Sequence, residues 1–342
     1  MMISPYKFSI PAHLNASSPP EKRGIRRDFV KLMVLNKSTG KTKHQLFYQL
    51  DEHLNEGDMM ILNQSRTIPA LLRGVCKRNG VILQENCEIR LARKISENQW
   101  DVLIVEAGLK KGDEIIFSNR LSGTVVQESP STPFKTLQFS KKRKEFYDEI
   151  YTIGEPIRYE YIDTPWGLED YQTVFAAQPG SVEMPSAGRA FTWEMIQKLK
   201  RKGVRISFIS LHTGLSYFLD DKWNHSPDKI VEEYHVPKRV IDQIIKTRSV
   251  GNKVIAVGTT VVRAIETALE TGDLSGWTNL YIKKGHKLKG IDGIITGFHE
   301  PEASHLQLLS AFIDENQLLK AYEEAIQYKY LWHEFGDMNL II

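Results

Sequence analysis

The run VIAVGTTVVRAIET, Val254 to Thr267, decides what kind of sheet this chain builds. Four apolar residues have the unbroken hydrophobicity of a strand covered on both faces, and Gly258 interrupts them. Beyond the glycine the chain reads as a helix carrying Arg263 and Glu266. Gly258 permits a close backbone turn, Thr259 and Thr260 offer side-chain oxygens as caps, and the first helical amides point above the strand. Such an end attracts carboxylates, phosphates or polar sugar groups. The plainer alternative is that Thr259 only caps the helix and Arg263 pairs with Glu266 or with solvent.

The same alternation of strand and helix extends in both directions. TWEMIQKLKRKG predicts a helix with Thr192 as its cap and Gly203 at its end, and VRISFISLH a strand after it. PKRVIDQIIKTRSVG is a helix leading into KVIAVG, GIDGIITGFHEPEAS a strand entering a loop, and ENQLLKAYEEAIQYKY an amphipathic helix. Upstream, Val30–Leu35 reads as a strand, a short helix precedes Gly57, and MMILN (59–63) is a buried strand ending at the polar turn Asn63–Arg66. Between about Ala70 and Phe139 the texture differs. Short alternating runs (CEIRLAR, WDVLIVEA, DEIIFS, GTVVQES) are separated by turn residues, as in a small antiparallel barrel. The expected fold is therefore α/β: a mostly parallel sheet domain formed by 1–68 and 147–342, with an inserted antiparallel β-barrel domain at 69–146.

The 342 residues are 41% hydrophobic and 25% charged, with no apolar run of membrane-spanning length. The N-terminal stretch has no apolar core of signal-peptide length, which points to a cytoplasmic protein. Cys76 and Cys87 cannot make a disulfide framework and lack metal-ligand spacing, so reduced, buried thiols are expected. Net charge is +3, with lysine-rich runs at 141–144, 198–205 and 283–290. One such run is usually a solvated face; three of them admit a nucleic-acid partner.

Ligands of open α/β sheets sit beyond the carboxyl ends of the strands. Polar groups fall there at Asn63–Arg66, at Leu211–Gly214 (LHTG), at Gly258–Arg263 and at Gly297–Pro301 (GFHEP), while MPSAGRAF (184–191) places Ser186, Gly188 and Arg189 before a helix. His212 and His299 can act as acid or base near neutrality, or serve as structural hydrogen-bonders. Glu232 and Glu233 in IVEEYHVP offer a general base or a solvated helix start. Asp337 reads as a turn-stabilising aspartate before the last apolar run. Dinucleotide, P-loop, zincin and nucleophile-elbow motifs are absent, so an enzyme of this sequence works without an evident metal or covalent serine.

Five colinear stretches together carry a resemblance: NQSRTIPALLRG, YQTVFAAQPGSVEMPSAGRAF, VIAVGTTVVRAIE, IDGIITGFHEPEAS and YKYLWHEFGDMNLII. They resemble the S-adenosylmethionine:tRNA ribosyltransferase-isomerase family of queuosine biosynthesis, over nearly the whole chain. The resemblance implies an α/β domain with an inserted barrel. It implies transfer and isomerisation of the ribosyl part of S-adenosylmethionine onto the aminomethyl group of a 7-deazaguanine in tRNA, giving epoxyqueuosine and releasing adenine and methionine. S-adenosylmethionine is then a substrate, tRNA the partner, and no metal is required. The sulfonium acidifies the neighbouring C5′ hydrogens, so one well-placed base can start the reaction.

Asn63, Arg66, His212, Gly258, Thr259, Thr260, Arg263, His299 and Asp337 match the family pattern, and Glu233 stays where its H-S-E motif has become Val231–Tyr234. The resemblance implies Glu233 or His299 as base, with His212 as hydrogen-bond partner or acid. Thr259, Thr260 and Arg263 hold the sugar or methionine end, Ser186 and Gly188 shape the base pocket, and Asn63, Arg66, Gly214 and Asp337 complete the binding set. The departures lie in the same loops. A leucine and a histidine of the family are Arg189 and Ala190, a second glycine and a threonine are missing from Leu211–Phe218, and Lys283, Lys284 and Glu300 are new. Besides the family reaction, these departures leave open a paralogue that binds or cleaves S-adenosylmethionine with another acceptor, and a non-catalytic nucleoside- or RNA-binding protein. Arg189, Lys283 and Lys284 would serve an RNA backbone or a smaller anion.

Overall fold

The computed structural model describes residues 8–105, 108–129, 132–216, 231–301 and 303–342. The first seven residues, Glu106 and Ala107 of WDVLIVEA, Tyr217 and Phe218 of the Leu211–Phe218 run, and Glu302 of the GFHEPEAS loop lie outside the described residues.

In chain order come β1 (Lys31–Leu35), β2 (Thr42–Leu46), a 3-10 helix (Phe47–His53), β3 (Met59–Asn63) and β4 (Ser65–Thr67). Six strands follow, β5 (Leu71–Arg78), β6 (Val81–Lys94), β7 (Gln99–Val105), β8 (Glu114–Ile116), β9 (Ser122–Glu128) and β10 (Phe134–Phe139), then α1 (Arg143–Ile153). The chain continues through β11 (Gln178–Ser181), α2 (Trp193–Arg201), β12 (Arg205–Leu211), β13 (Glu232–His235), α3 (Lys238–Ser249), β14 (Val254–Val257) and α4 (Thr259–Thr271). It ends with β15 (Ser275–Thr278), β16 (Gly293–Gly297), α5 (Ser304–Leu309), α6 (Glu315–Gln327) and β17 (Met338–Ile341).

Nine strands form one sheet in the order β15-β13-β12-β3-β14-β16-β17-β1-β2. Its centre, β12-β3-β14-β16, is parallel, whereas β13, β15, β17 and β2 pair antiparallel to a neighbour, so the sheet is mixed with a parallel heart. At this centre β14 (VIAV) is apolar throughout and β3 is apolar up to Asn63, as two covered faces require. Strand alternation sends Met59 and Ile61 of β3 to one core with Ile244, Val261 and Leu318, and Met60 and Leu62 to the other with Phe191, Met195 and Leu199. Each such side chain, withdrawn from water completely, contributes on the order of 2 kcal/mol.

Strands β5–β10 close into a barrel in which every pairing is antiparallel. Its core takes in Phe146 and Ile150 of α1, and also Val182 just after β11 and Leu215 just after β12. The Thr192 cap is as expected: its Oγ1 accepts from Met195 N at 3.1 Å.

Three expectations are corrected. Glu232–His235 is strand β13, not a helix start, because it is paired on both sides, with β12 and β15. Helix α4 is capped by the Gly258 backbone rather than by a threonine side chain, and Thr259 is already its first residue. Cys76 and Cys87, expected as reduced thiols, are joined in a disulfide between β5 and β6, with Cα atoms 6.5 Å apart.

Candidate active site

The parallel heart of the sheet delivers four chain turns to one edge, beyond Asn63, Leu211, Val257 and Gly297. Asn63 ties them together. Its Nδ2 donates to Leu211 O at 2.8 Å and to Thr260 Oγ1 at 3.3 Å, and its Oδ1 accepts from Leu211 N and Ser65 N. A buried amide with its donors and acceptor in use is a rigid spacer between strand ends.

Next to it lies a hydroxyl–imidazole chain. Ser65 Oγ is 2.6 Å from Ser181 Oγ and 2.7 Å from His212 Nδ1, and Ser181 Oγ accepts from Thr213 N at 3.1 Å. His212 N donates to Glu233 O at 2.9 Å. Burial holds the His212 imidazole below its ordinary pKa; the nearby Glu233 carboxylate opposes this and Lys94 adds to it. The ring is therefore neutral at pH 7, which suits the hydrogen-bond partner among the two roles expected of it. Gly180 faces this ring: a Cβ there would fall 2.5 Å from His212 Nδ1.

Alternation along β13 puts Glu232 and Glu233 on opposite faces. Glu232, only 8% exposed, accepts from Arg263 Nη1 and from Gly214 N at 3.3 Å. Arg263 thus pairs neither with Glu266 nor with solvent. Its Nε is also engaged, by Leu280 O at 3.1 Å, so it fastens α4 to β13 and to the segment before Ile282. Glu266 instead accepts from Lys289 N and Gly290 N.

Gly258 takes φ +94°, and its Cα hydrogen points at the Ser186–Gly188 turn, where an added Cβ would lie 3.3 Å from Ala187. This close approach brings Ser186 beside the Gly258–Thr260 turn, while Gly188 is covered by Phe175. His299 Nε2 meets Thr296 Oγ1 at 2.7 Å, and its ring stacks on His305 with centroids 4.4 Å apart. Burial, then His305 and His333, keep His299 neutral.

Two expected residues stand apart from this cluster. Arg66 is exposed with its guanidinium over the Tyr151 ring at 5.5 Å. Asp337 is buried, and its two oxygens accept from Lys31 N and Leu331 N, each at 2.7 Å, which is the turn-stabilising role. Two of the new cations are also committed. Lys284 pairs with Glu315, and Arg189 is buried, bonded to Glu21 at 2.9 Å and to Asp170 O at 2.9 Å, so it does not reach an RNA backbone.

A small cavity of about 10 Å³, room for about one water, lies beside the Ser186–Gly188 turn, lined among others by Ser186, Arg189, Gly297, His333 and Glu334. Burial, and then the Glu183 charge, push Glu334 up to about 8. Ser65, Ser181, Glu183, His333 and Glu334 were not expected at the site. Glu334 lies inside the matching stretch YKYLWHEFGDMNLII, but nothing in its spacing marks it. Ser65 and Ser181 come together only through the parallel pairing of β4 with β11.

The family model described as "Queuosine biosynthesis protein" matches residues 3–341. The chain belongs to this family. Among relatives, it is 36% identical over 359 residues to the S-adenosylmethionine:tRNA ribosyltransferase-isomerase of Thermoanaerobacter sp. (strain X514), with both chains covered in full. It is 35% identical over 345 residues, again in full, to the protein of the same name from Sulfurihydrogenibium sp. (strain YO3AOP1). A solved structure, the S-adenosylmethionine tRNA ribosyltransferase of Thermotoga maritima, is similar with a TM-score of 0.56 and 29% identity, covering 98% of this chain and 99% of that one. The family thus spans sheet and barrel alike. Among the described residues, no helix is long and apolar enough to cross a membrane.

Proposed function

We propose that this chain is an S-adenosylmethionine:tRNA ribosyltransferase-isomerase, acting in the cytoplasm on a tRNA that carries an aminomethyl-deazaguanine. The observation that carries the reading is the convergence of Asn63, Thr260, His212 and Glu233 at the carboxyl edge of the parallel strands, in a chain whose full-length relatives bear that name. S-adenosylmethionine is its substrate and the source of the ribosyl group.

Glu233 takes the C5′ proton that the sulfonium has acidified. His212, neutral and held at Nδ1 by Ser65, lies near enough to feel the charge of that carboxylate. His299 is the weaker candidate for the base, since its Nε2 is engaged by Thr296 and its face by His305. The Gly258 turn and Thr259–Thr260 support the sugar, and the Ser186 turn flanks the base pocket. Arg263 acts by fixing Glu232 and, through it, the Gly214 amide.

The test is incubation of the protein with S-adenosylmethionine, with and without tRNA bearing the aminomethyl-deazaguanine, followed by mass spectrometry. Adenine and methionine released only with that tRNA, plus a matching mass gain on the RNA, is the expected result. Breakdown without tRNA would instead assign the chain to a paralogue with a different acceptor. No breakdown in either tube would favour a non-catalytic nucleoside- or RNA-binding protein.

A further inference from the structure

At the catalytic edge three polar side chains stand in line, and the direction of their hydrogen bonds follows from which of them has a proton to give. Ser181 Oγ accepts from Thr213 N at 3.1 Å and lies 2.6 Å from Ser65 Oγ, which in turn lies 2.7 Å from His212 Nδ1. Ser181 is wholly buried and Ser65 nearly so. A hydroxyl carries one proton, and a buried hydroxyl without an acceptor forfeits the hydrogen bond it had in water. Among the described residues, the acceptor within reach of the Ser181 proton is Ser65 Oγ. Ser65 therefore accepts from Ser181 and gives its own proton to its remaining neighbour, His212 Nδ1.

The opposite direction fails on the same count. If Nδ1–H donated to Ser65 and Ser65 to Ser181, Ser181 Oγ would receive protons from both Ser65 and Thr213 N. Its own proton would then point at nothing in a closed interior, which native structures rarely tolerate. A doubly protonated ring is excluded as well, since burial keeps His212 neutral. In a neutral imidazole one nitrogen accepts and the other carries the proton, so Nε2 carries it here. That nitrogen meets no partner among the described residues and is not shut off from solvent, His212 being half-buried. The ring is also held against turning over. Its amide is fixed on Glu233 O, and the Gly180 backbone lies against its face, where an added Cβ would come within 2.5 Å of Nδ1 and 2.7 Å of Cγ and Cε1.

We propose that the Ser181–Ser65 hydroxyl pair fixes His212 as the tautomer protonated at Nε2, and that this N–H donates to an oxygen of the substrate's ribosyl unit. The tautomer follows from the hydrogen bonds alone. The choice of the sugar rests on the transferase reading, in which Glu233, joined to His212 through the backbone, takes a proton from that same unit. Neither ring nitrogen keeps a lone pair free to receive a proton, so His212 is a donor and not a base. Ser65 and Ser181 are positioning residues, which touch no substrate and act by setting which edge of the ring donates.

The test is a long-range proton–nitrogen NMR spectrum of the full-length protein with 15N-labelled histidine, the His212 signals being identified by their loss in His212→Phe. Near neutral pH the expected pattern is an unprotonated Nδ1 and a protonated Nε2. In Ser181→Ala the Ser65 proton is free to point either way, so the two nitrogen shifts should draw together. Circular dichroism checks the fold of both variants, and the wild-type spectrum decides the tautomer even if Ser181→Ala does not fold. On adding S-adenosylmethionine, the Nε2 proton should move downfield and show nuclear Overhauser contacts to ribose hydrogens. His212→Phe should bind S-adenosylmethionine about 2- to 10-fold more weakly, the range for one neutral hydrogen bond, and should keep the acid limb of the kcat/KM profile that belongs to Glu233. A protonated Nδ1 in the wild type would overturn the proposal, as would nitrogen shifts unmoved in a folded Ser181→Ala. Contacts from the Nε2 proton to the methionine end alone would remove the sugar from it, and loss of the acid limb in His212→Phe would make His212 the base. If S-adenosylmethionine does not bind at all, the transferase reading fails, while the spectrum of the free protein still decides the tautomer.

Discussion

Replacing Gly180 by alanine tests the catalytic edge without touching any group that takes part in it. The new methyl carbon would lie 2.5 Å from His212 Nδ1, roughly 1 Å short of an ordinary van der Waals contact. Ser65 Oγ already occupies the other approach to that nitrogen, at 2.7 Å, and the His212 amide is fixed to Glu233 O. The ring must therefore rotate away from Ser65, and its distance to the Glu233 carboxylate changes by a comparable amount. A displacement of this size in a catalytic pair costs about 100-fold in rate. The methyl also overpacks the space between β11 and the His212 ring, for a stability loss of about 1–3 kcal/mol. Single-turnover release of adenine from S-adenosylmethionine measures the first effect and urea unfolding the second. If Gly180→Ala turns over at the wild-type rate while folded, His212 has no positioning role and the assignment of Glu233 with His212 is wrong. Further, Gly180→Ala combined with His212→Ala should be no slower than His212→Ala alone, since both act through the same ring.

Arg263→Met strands Glu232, whose side chain is 9% exposed, so a loss of about 3 kcal/mol in urea unfolding is expected, with most of it recovered in the Arg263→Met/Glu232→Leu double variant. Thr192→Ala removes both the acceptor for Met195 N and a donor to Asp28, and should lower stability by about 1 kcal/mol with no effect on substrate binding. Asp337→Ala frees two backbone amides in the core seam and should cost about 2–4 kcal/mol, with the KM for S-adenosylmethionine unchanged; a selective rise in that KM would restore Asp337 to the binding set. His299 is held below its ordinary 6.5, so the folded state refuses a proton that the unfolded chain accepts; stability should fall as pH drops below 6.5, and fall less steeply in His299→Phe, as read from urea midpoints at pH 7, 6 and 5.

What the sequence reveals is what local chemistry determines. MMILN and VIAV are legible because a strand covered on both faces must be apolar throughout, and the barrel because alternation and turn residues recur at short intervals. The Thr192 cap is legible because its partner is three residues away. Glu232–His235 is not. Two adjacent glutamates resemble a helix start, and only pairing with β12 and β15, distant in sequence, makes them a strand. The same pairing hands Glu232 to Arg263 and Glu233 to the His212 side. The cysteines are illegible for a related reason, since their meeting depends on the irregular register of β5 against β6. Matching motifs located Asn63, His212, Gly258 and Thr260 at one edge, but Ser65, Ser181 and Glu334 join the site through contacts that no local pattern announces.

The seating of Val182 and Leu215 in the barrel core has a practical consequence. Both flank segments of the hydroxyl–imidazole chain, next to Ser181 and just past Gly214, and Leu215 N is further bolted to Ala92 O at 3.0 Å. The barrel therefore works as a clamp on the loops that aim His212. Damage to its interior, for instance Trp100→Ala, travels to the catalytic edge as a loosening of those loops. A screen for inactive variants will consequently return barrel positions far from any substrate, and these are sorted from true contact residues by a simple sign: added S-adenosylmethionine rescues their melting temperature without restoring their rate to the wild-type value.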